Sequence, residues 1–365
     1  MHEKAGLALV IALGVGGCRG RGPEALSAAE IGVVEQSDAI EGRDGGSSAW
    51  LWDRSIWTFG DTVLTLDDER GHNWHHNSFS VTTDTDASDG LSGFSEPLDA
   101  VGAPQHLIPP STSEQEFNDA HWGEMCEVEP CGARWAVWPG EPVWDADHDR
   151  ALVFYGLIYA EPGDFNFMGV GHSIATWTDP DGHPERPVID VDAEHPDLLW
   201  SGDRSGWGIA SNIVDGQLYT FACETNGGLA HDCMLARVEL SELHVRSAWR
   251  YFDGDQWSTH ADEAKPLFEG APVMSVSFNE FLGEWLAVYS TPFSSEVVAR
   301  TAPDLTGPWS RESLLYDTGQ DTPYDALAHA EYEERDGQVI YVTYSRHTSG
   351  WFGTEFPLVR IELAG

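Results

Sequence analysis

The stretch Asp215-Gly216-Gln217-Leu218-Tyr219-Thr220-Phe221-Ala222 sets a tight-turn dipeptide directly ahead of a short apolar strand. Asp-Gly tolerates the positive φ angles that a two-residue hairpin turn demands, so this stretch reads as the second strand of an antiparallel hairpin. The same shape recurs. Asp336-Gly337-Gln338 precedes Val339 to Tyr344, Leu282-Gly283-Glu284 precedes Trp285 to Tyr289, His148-Asp149-Arg150 precedes Ala151 to Tyr155, and Trp52-Asp53-Arg54 precedes Ser55 to Phe59. A fixed motif repeated along a chain is the mark of a repeat architecture.

Each unit has a short apolar strand before its turn and a further strand after it, at Asn77 to Thr82, Val170 to Thr176, Cys233 to Val238, Val297 to Thr301 and Leu358 to Ile361. No amphipathic helix of three turns interrupts the units, short pieces in insertions aside. A single meander would leave two edges bare, whereas radial stacking of blades protects them. The expectation is an all-β, five-bladed β-propeller over residues 34–365. The alternative, a pair of β-sandwiches, draws on the uneven spacing caused by a long insertion from Asp89 to Pro139.

In a propeller, the start of each blade's first strand and the end of its second share one rim. With the first turn centred near Asp53 and Arg54, position 61 falls opposite position 46, and Asp44 lies one diagonal step away, about 7–8 Å at Cα. Asp44 and Asp61 therefore present two carboxyl groups to one volume, the arrangement that acid/base cleavage of a glycosidic bond requires. The working order takes Asp44 as base and Asp61 as acid, with an inverting course because a diagonal separation leaves room for water. Asn77, Glu141, Glu224, His329 and Arg346 occupy corresponding places in the units and are the candidates for holding sugar hydroxyls. Trp50, Trp57, Trp74, Trp122, Trp135, Trp138, Trp144 and Trp351 could offer flat faces to sugar rings. Adjacent His75 and His76 on a strand would point to opposite faces, which argues against a shared metal ion. The proposed chemistry needs no cofactor.

Composition narrows the partners. The chain carries 19 Lys and Arg against 61 Asp and Glu, a formal net charge of −42. Nucleic acid is excluded, since nothing supplies a cationic track for phosphates. A neutral polysaccharide is indifferent to that field, and a monomer is expected. At the N-terminus, Lys4 precedes an apolar run from Ala5 to Val15 that is too short to span a bilayer and reads as a signal peptide, residues 1–17. Small residues before Cys18 look like the lipobox of bacterial lipoprotein precursors, making Cys18 the lipidated first residue of the mature chain and residues 18–33 a tether. The membrane is then a partner only through that lipid anchor. Cys126 with Cys131 and Cys223 with Cys233 form local pairs in loops, read as disulfides of an exported protein; a four-cysteine zinc site lacks the usual two-residue spacing.

The segments Glu41-Gly42-Arg43-Asp44-Gly45-Gly46-Ser47, Ile56-Trp57-Thr58-Phe59-Gly60-Asp61-Thr62 and Asn77-Ser78 resemble the opening of the propeller family catalogued as domain of unknown function 4185. Val276 to Asn279, Trp285 to Tyr289, Arg300-Thr301-Ala302-Pro303 and Gly307-Pro308-Trp309-Ser310 are similar to its fourth blade, and Tyr341 to Ser345 to its last. That family includes endo-acting D-arabinanases with two aspartates in the first blade as the acid/base pair. The resemblance implies the same role for Asp44 and Asp61, although Gly45-Gly46-Ser47 departs from the Asp-Leu-Gly of the family. A non-catalytic surface lectin on the same fold is the rival reading. A sialidase is disfavoured, because Ser201 to Trp207 only loosely approaches the Asp-box pattern.

Overall fold

A computed structural model of the chain describes residues 20–123, 126, 128–163, 165–202, 206–227, 230–319 and 321–365. The leader, its lipobox and Cys18 lie outside the described residues, as do positions 203–205 of the Asp-box-like stretch.

Strand β1 (Ala25–Val33) is followed by blade one, made of β2 (Ile40–Leu51), β3 (Arg54–Leu64), the short β4 (Trp74–His75) and β5 (Ser78–Thr82), with β4 and β5 both paired to β3. After helix α1 (Thr112–His121), blade two runs β6 (Arg134–Asp145), β7 (Arg150–Ala160), β8 (Phe167–Trp177) and β9 (Trp200–Ser201). Blade three contains β10 (Ser211–Val214), β11 (Gln217–Thr225), β12 (His231–Glu239), β13 (Arg250–Phe252) and β14 (Trp257–Ser258), and β15 (Phe268–Gly270) adds to β12. Blade four is β16 (Met274–Asn279), β17 (Glu284–Ser290), β18 (Glu296–Ala302) and β19 (Ser313–Asp317). Blade five starts with β20 (Leu327–Ala328) and β21 (Val339–Thr343), carries a separate hairpin of β22 (Arg346–His347) and β23 (Thr354–Glu355), and ends with β24 (Pro357–Leu363).

The five-bladed propeller expected from the repeats is the observed fold. Residues 25–33, expected to belong to the tether, instead form β1, which pairs antiparallel with the C-terminal β24, so the propeller begins before residue 34 and the two ends of the chain close the ring within one sheet. Closure covers the outer edge of β24 and ties the segment that leads into blade one to the sheet of the last blade by backbone hydrogen bonds.

Between neighbouring blades lie five apolar cores. Ile56, Phe79, Tyr155 and Trp177 fill the first gap, Phe154, Trp207, Leu218 and Trp249 the second, and Phe221, Phe268, Val276 and Trp309 the third. Leu286, Val288, Ile340 and Val342 fill the fourth, and Trp57, Phe59, Tyr341 and Phe356 the fifth. Most of the tryptophans are thus consumed as wedges, which a sheet-on-sheet packing of strongly twisted blades requires.

The long insertion between blades one and two contains α1, fixed at its start by a capping box in which Ser111 and Glu114 bond each other's backbone N–H. Glu114 also takes a two-pronged ion pair from Arg186 (2.6 and 2.8 Å), and Arg186 reaches Asp197 at 2.6 Å. All three side chains are nearly buried, so Arg186 pins the insertion to blade two. Arg186→Ala leaves two buried carboxylates without a cation and should cost about 3–5 kcal/mol of stability. Denaturant titration checks this; a loss under 1 kcal/mol would mean that the cluster does not hold the insertion.

Disulfides Cys126–Cys131 and Cys223–Cys233 are both formed. They fit an extracellular or periplasmic location. No helix among the described residues is long and apolar enough to cross a membrane.

Candidate active site

The site begins at the turn of blade one. Trp52 and Asp53 both adopt positive φ (47° and 59°), and Leu51 pairs with Arg54, so the turn centres one residue earlier than the sequence suggested. A shift of one at the turn moves the register by two along the strands. Arg43 then pairs with Thr62 and Gly45 with Phe59, which leaves Asp44 alone on β2 facing Gly60 and Asp61 together on β3. This bulge sets Asp44 across from Asp61 and not diagonal to it. The diagonal step behind the inverting expectation is therefore replaced by a direct pairing across the strands. Gly45 and Gly46, at φ of 84° and 104°, supply the left-handed backbone that the irregularity needs.

Gly60 is the position on which the pair depends. A Cβ there would lie 2.4 Å from Oδ1 of Asp44, so only glycine leaves room for the carboxyl. The backbone N–H of Asp61 donates to that same carboxyl, as does the phenol of Tyr324.

The two carboxyl groups have unlike surroundings. Burial pushes Asp44 up to about 8, with the negative charge of Asp61 next in size and that of Asp325 adding to it, against the two donors. Burial also raises Asp61, but Arg134 opposes it most strongly, followed by the indoles of Trp74 and Trp138. Trp74 donates its Nε1–H to Oδ1 at 3.0 Å, and an Arg134 nitrogen lies 3.6 Å from Oδ2. Trp138 acts from beyond a formed hydrogen bond, its own N–H having no partner at bonding distance. Arg134 also lies over the Trp74 ring at 4.1 Å, which fixes the guanidinium between an aromatic face and a carboxylate. Asp44, which faces the charge of Asp61, is thus pushed toward its protonated form, while the charge of Asp61 is offset by Arg134 and the Trp74 indole.

Asp325 is fully buried, and its charge acts on Asp44. It accepts from the backbone of Gly45 (3.1 Å), the backbone of Ser345 (2.8 Å) and the Ser345 hydroxyl. It joins blade five to the bulge.

Of the five polar positions expected to hold hydroxyls, Asn77, His329 and Arg346 are bonded to other parts of the fold. Asn77 is wholly buried, and its amide bonds the backbone of Ile108 in both directions and the carbonyl of Val137, so it ties the insertion to blades one and two. His329 is buried under the Trp57 ring (4.2 Å between centroids) and shares its nitrogens with Ser48 and Thr343. The guanidinium of Arg346 is engaged by Glu30 and Glu355. Glu141 is pushed up to about 8 by burial and by Glu331, which accepts from the hydroxyls of Ser48 and Ser55. Glu224, near the end of β11, pairs across the ladder with Asp232 and is exposed. Sequence reasoning missed Gly60, Arg134, Tyr324 and Asp325. Blade five misled it because β20 is only Leu327–Ala328, so the rim residues come earlier, at 324 and 325, than a full-length strand would put them.

Against expectation, His75 and His76 both lie against one ring, that of His106, at 4.1 and 4.5 Å between centroids. Among the described residues no group of three or more His, Cys, Asp or Glu is arranged to hold a metal ion.

Residues 173–352 match the family model described as Domain of unknown function (DUF4185), in agreement with the resemblance read from the motifs. No curated protein matches the chain. Among solved structures, a Bacteroides ovatus protein described as a candidate hydrolase superposes with a TM-score of 0.60 at 15% identity, over 89% of this chain and 87% of that one. An exo-β-1,3-galactanase of Clostridium thermocellum gives 0.50 at 13% identity, over 91% of this chain and 62% of that one. The RS223 β-xylosidase gives 0.51 at 12% identity, over 92% and 94%. At these identities the likeness is one of fold.

Proposed function

We propose that this chain is a glycoside hydrolase of the cell envelope that cuts a neutral, furanose-containing polysaccharide within the chain, in the manner of an endo-D-arabinanase. The observation that carries the reading is the unlike pair: a carboxylic acid that keeps its proton to about 8, facing a carboxylate braced by a cation. Asp44 protonates the leaving oxygen, and Asp61 activates water or attacks the sugar, the reverse of the order taken from sequence. Glycosidases with the same fold, such as the galactanase and the xylosidase above, support the reaction class by analogy of fold. Export with lipidation at Cys18 would place the enzyme against envelope glycans.

Reducing-end release from D-arabinan, L-arabinan, galactan and xylan tests the reading; no release from any of them would favour the non-catalytic lectin. The anomer of the first product, followed by NMR, assigns inversion or retention.

The pH profile has a stated sign. Asp44 must be protonated to act as an acid, so kcat/KM declines as pH rises through about 8. Tyr324→Phe removes a donor that favours the ionised form, so Asp44 holds its proton longer and the alkaline limb moves up, by about one pH unit or less. An unmoved or lowered limb would mean that Asp44 does not govern it.

A further inference from the structure

Two lines of aromatic rings lead away from Asp61 in different directions. Trp74, which donates to Asp61, meets Trp351 edge-on at 4.9 Å between centroids, and Phe352 lies 5.7 Å from Trp351. Trp138, the other indole acting on Asp61, meets Phe167 edge-on at 5.1 Å. Trp351 belongs to the hairpin of blade five and Phe167 to blade two, the two neighbours of blade one in the ring. Both outer rings are open to solvent, Trp351 at 67% and Phe167 at 48%.

The loop that carries Trp351 is held against β2. A Cβ on Gly42 would come within 1.8 Å of the Phe352 carbonyl, so that glycine lets the Trp351 loop lie flat on β2. Thr354 closes the same contact by accepting from the N–H of Arg43 (2.8 Å) and donating to its carbonyl (2.6 Å), one residue from Asp44. The strand that carries the acid thus also fixes the ring. Large aromatic faces open to solvent on both sides of a reacting pair match the apolar C–H faces of sugar rings.

We propose that Trp351 and Phe167 are the stacking platforms on the two sides of the scissile bond, so that a neutral glycan lies across the rim of blade one from blade five to blade two. This rests on the hydrolase reading for what lies between the platforms. The net charge of −42 disfavours an anionic glycan. Arg134 and Arg346 are already engaged by carboxylates.

The test measures binding without turnover. Asp44→Asn protein is run through native gels containing D-arabinan, L-arabinan, β-1,3-galactan, β-1,4-xylan or polygalacturonate. At least one neutral glycan should retard it. Adding Trp351→Ala or Phe167→Ala should weaken that retardation about tenfold each, the equivalent of about 1.4 kcal/mol. Trp351→Phe and Phe167→Tyr should restore most of it, which a merely misfolded loop would not allow. In the active background the two alanine changes should alter the lengths of the first products in opposite senses. The platforms are overturned if both alanine variants bind as tightly as Asp44→Asn alone, if no neutral glycan retards it, or if polygalacturonate retards it more. Retardation that needs both rings, with a native chain that cleaves nothing, would sink the hydrolase reading and keep the platforms; cleavage with undiminished binding by both variants would do the reverse.

Discussion

Asp44→Asn is expected to lower turnover on the preferred glycan by about 10²- to 10⁴-fold, the usual worth of a general acid, while the variant melts no lower than the native chain. The two halves of that expectation have one cause. The folded chain disfavours the ionised Asp44 carboxyl, and its folded pKa of about 8 lies well above the ordinary carboxylate value. The stability associated with a group raised in this way is complete below its unfolded pKa and is lost as pH rises through the folded one. Asparagine cannot ionise, so the variant escapes that loss and should gain on the native chain in melting temperature as pH approaches 8. Activity and thermal melts measured together at pH 5 and 8 check both. A variant that loses activity only because it unfolds would show the opposite melting trend. Asp61→Asn should also be inactive, but it strips Arg134 of its partner and is the less clean of the two.

Gly60→Ala is expected to cost on the order of 10²-fold in kcat/KM although it adds one methyl group and removes no functional atom. The added carbon would sit 2.4 Å from Oδ1 and 3.5 Å from Cγ of Asp44, far inside contact distance, so the carboxyl must swing away from the pair. Displacement of a reacting group by about 1 Å is enough for a loss of that size. The opposing atoms belong to a side chain at the mouth of the ring, so the blade cores should be untouched and the circular dichroism spectrum unchanged. Native activity in Gly60→Ala would show that Asp44 can work from somewhere other than beside Asp61.

The ring was legible in the sequence because each blade repeats one local signal, a turn dipeptide followed by an apolar strand, and five such units have few ways to bury their edges. The closeness of Asp44 and Asp61 was legible for a related reason: a hairpin converts sequence spacing into position. The register was off by two because a tryptophan, not a residue favoured at positive φ, occupies the first turn position, which moved the inferred turn to Asp53 and Arg54. The electrostatics could not be read. Which carboxyl keeps its proton depends on Arg134 from blade two and on Tyr324 and Asp325 from blade five, all far from the hairpin in sequence. Polar residues singled out one by one in the sequence can have their bonding groups taken up inside the fold. Asn77 and His329 face inward, and the bonds they make hold insertions and strands in place.

The most direct measurement is a carbon-13 NMR titration of the Asp44 side-chain carboxyl, in the native chain and in Asp61→Asn. An Asp44 carboxyl that titrates near 8 and moves down when the Asp61 charge is removed is the predicted result. A carboxyl that titrates near its ordinary value of 3.8, or that ignores the loss of Asp61, would contradict the pairing on which the proposed chemistry stands.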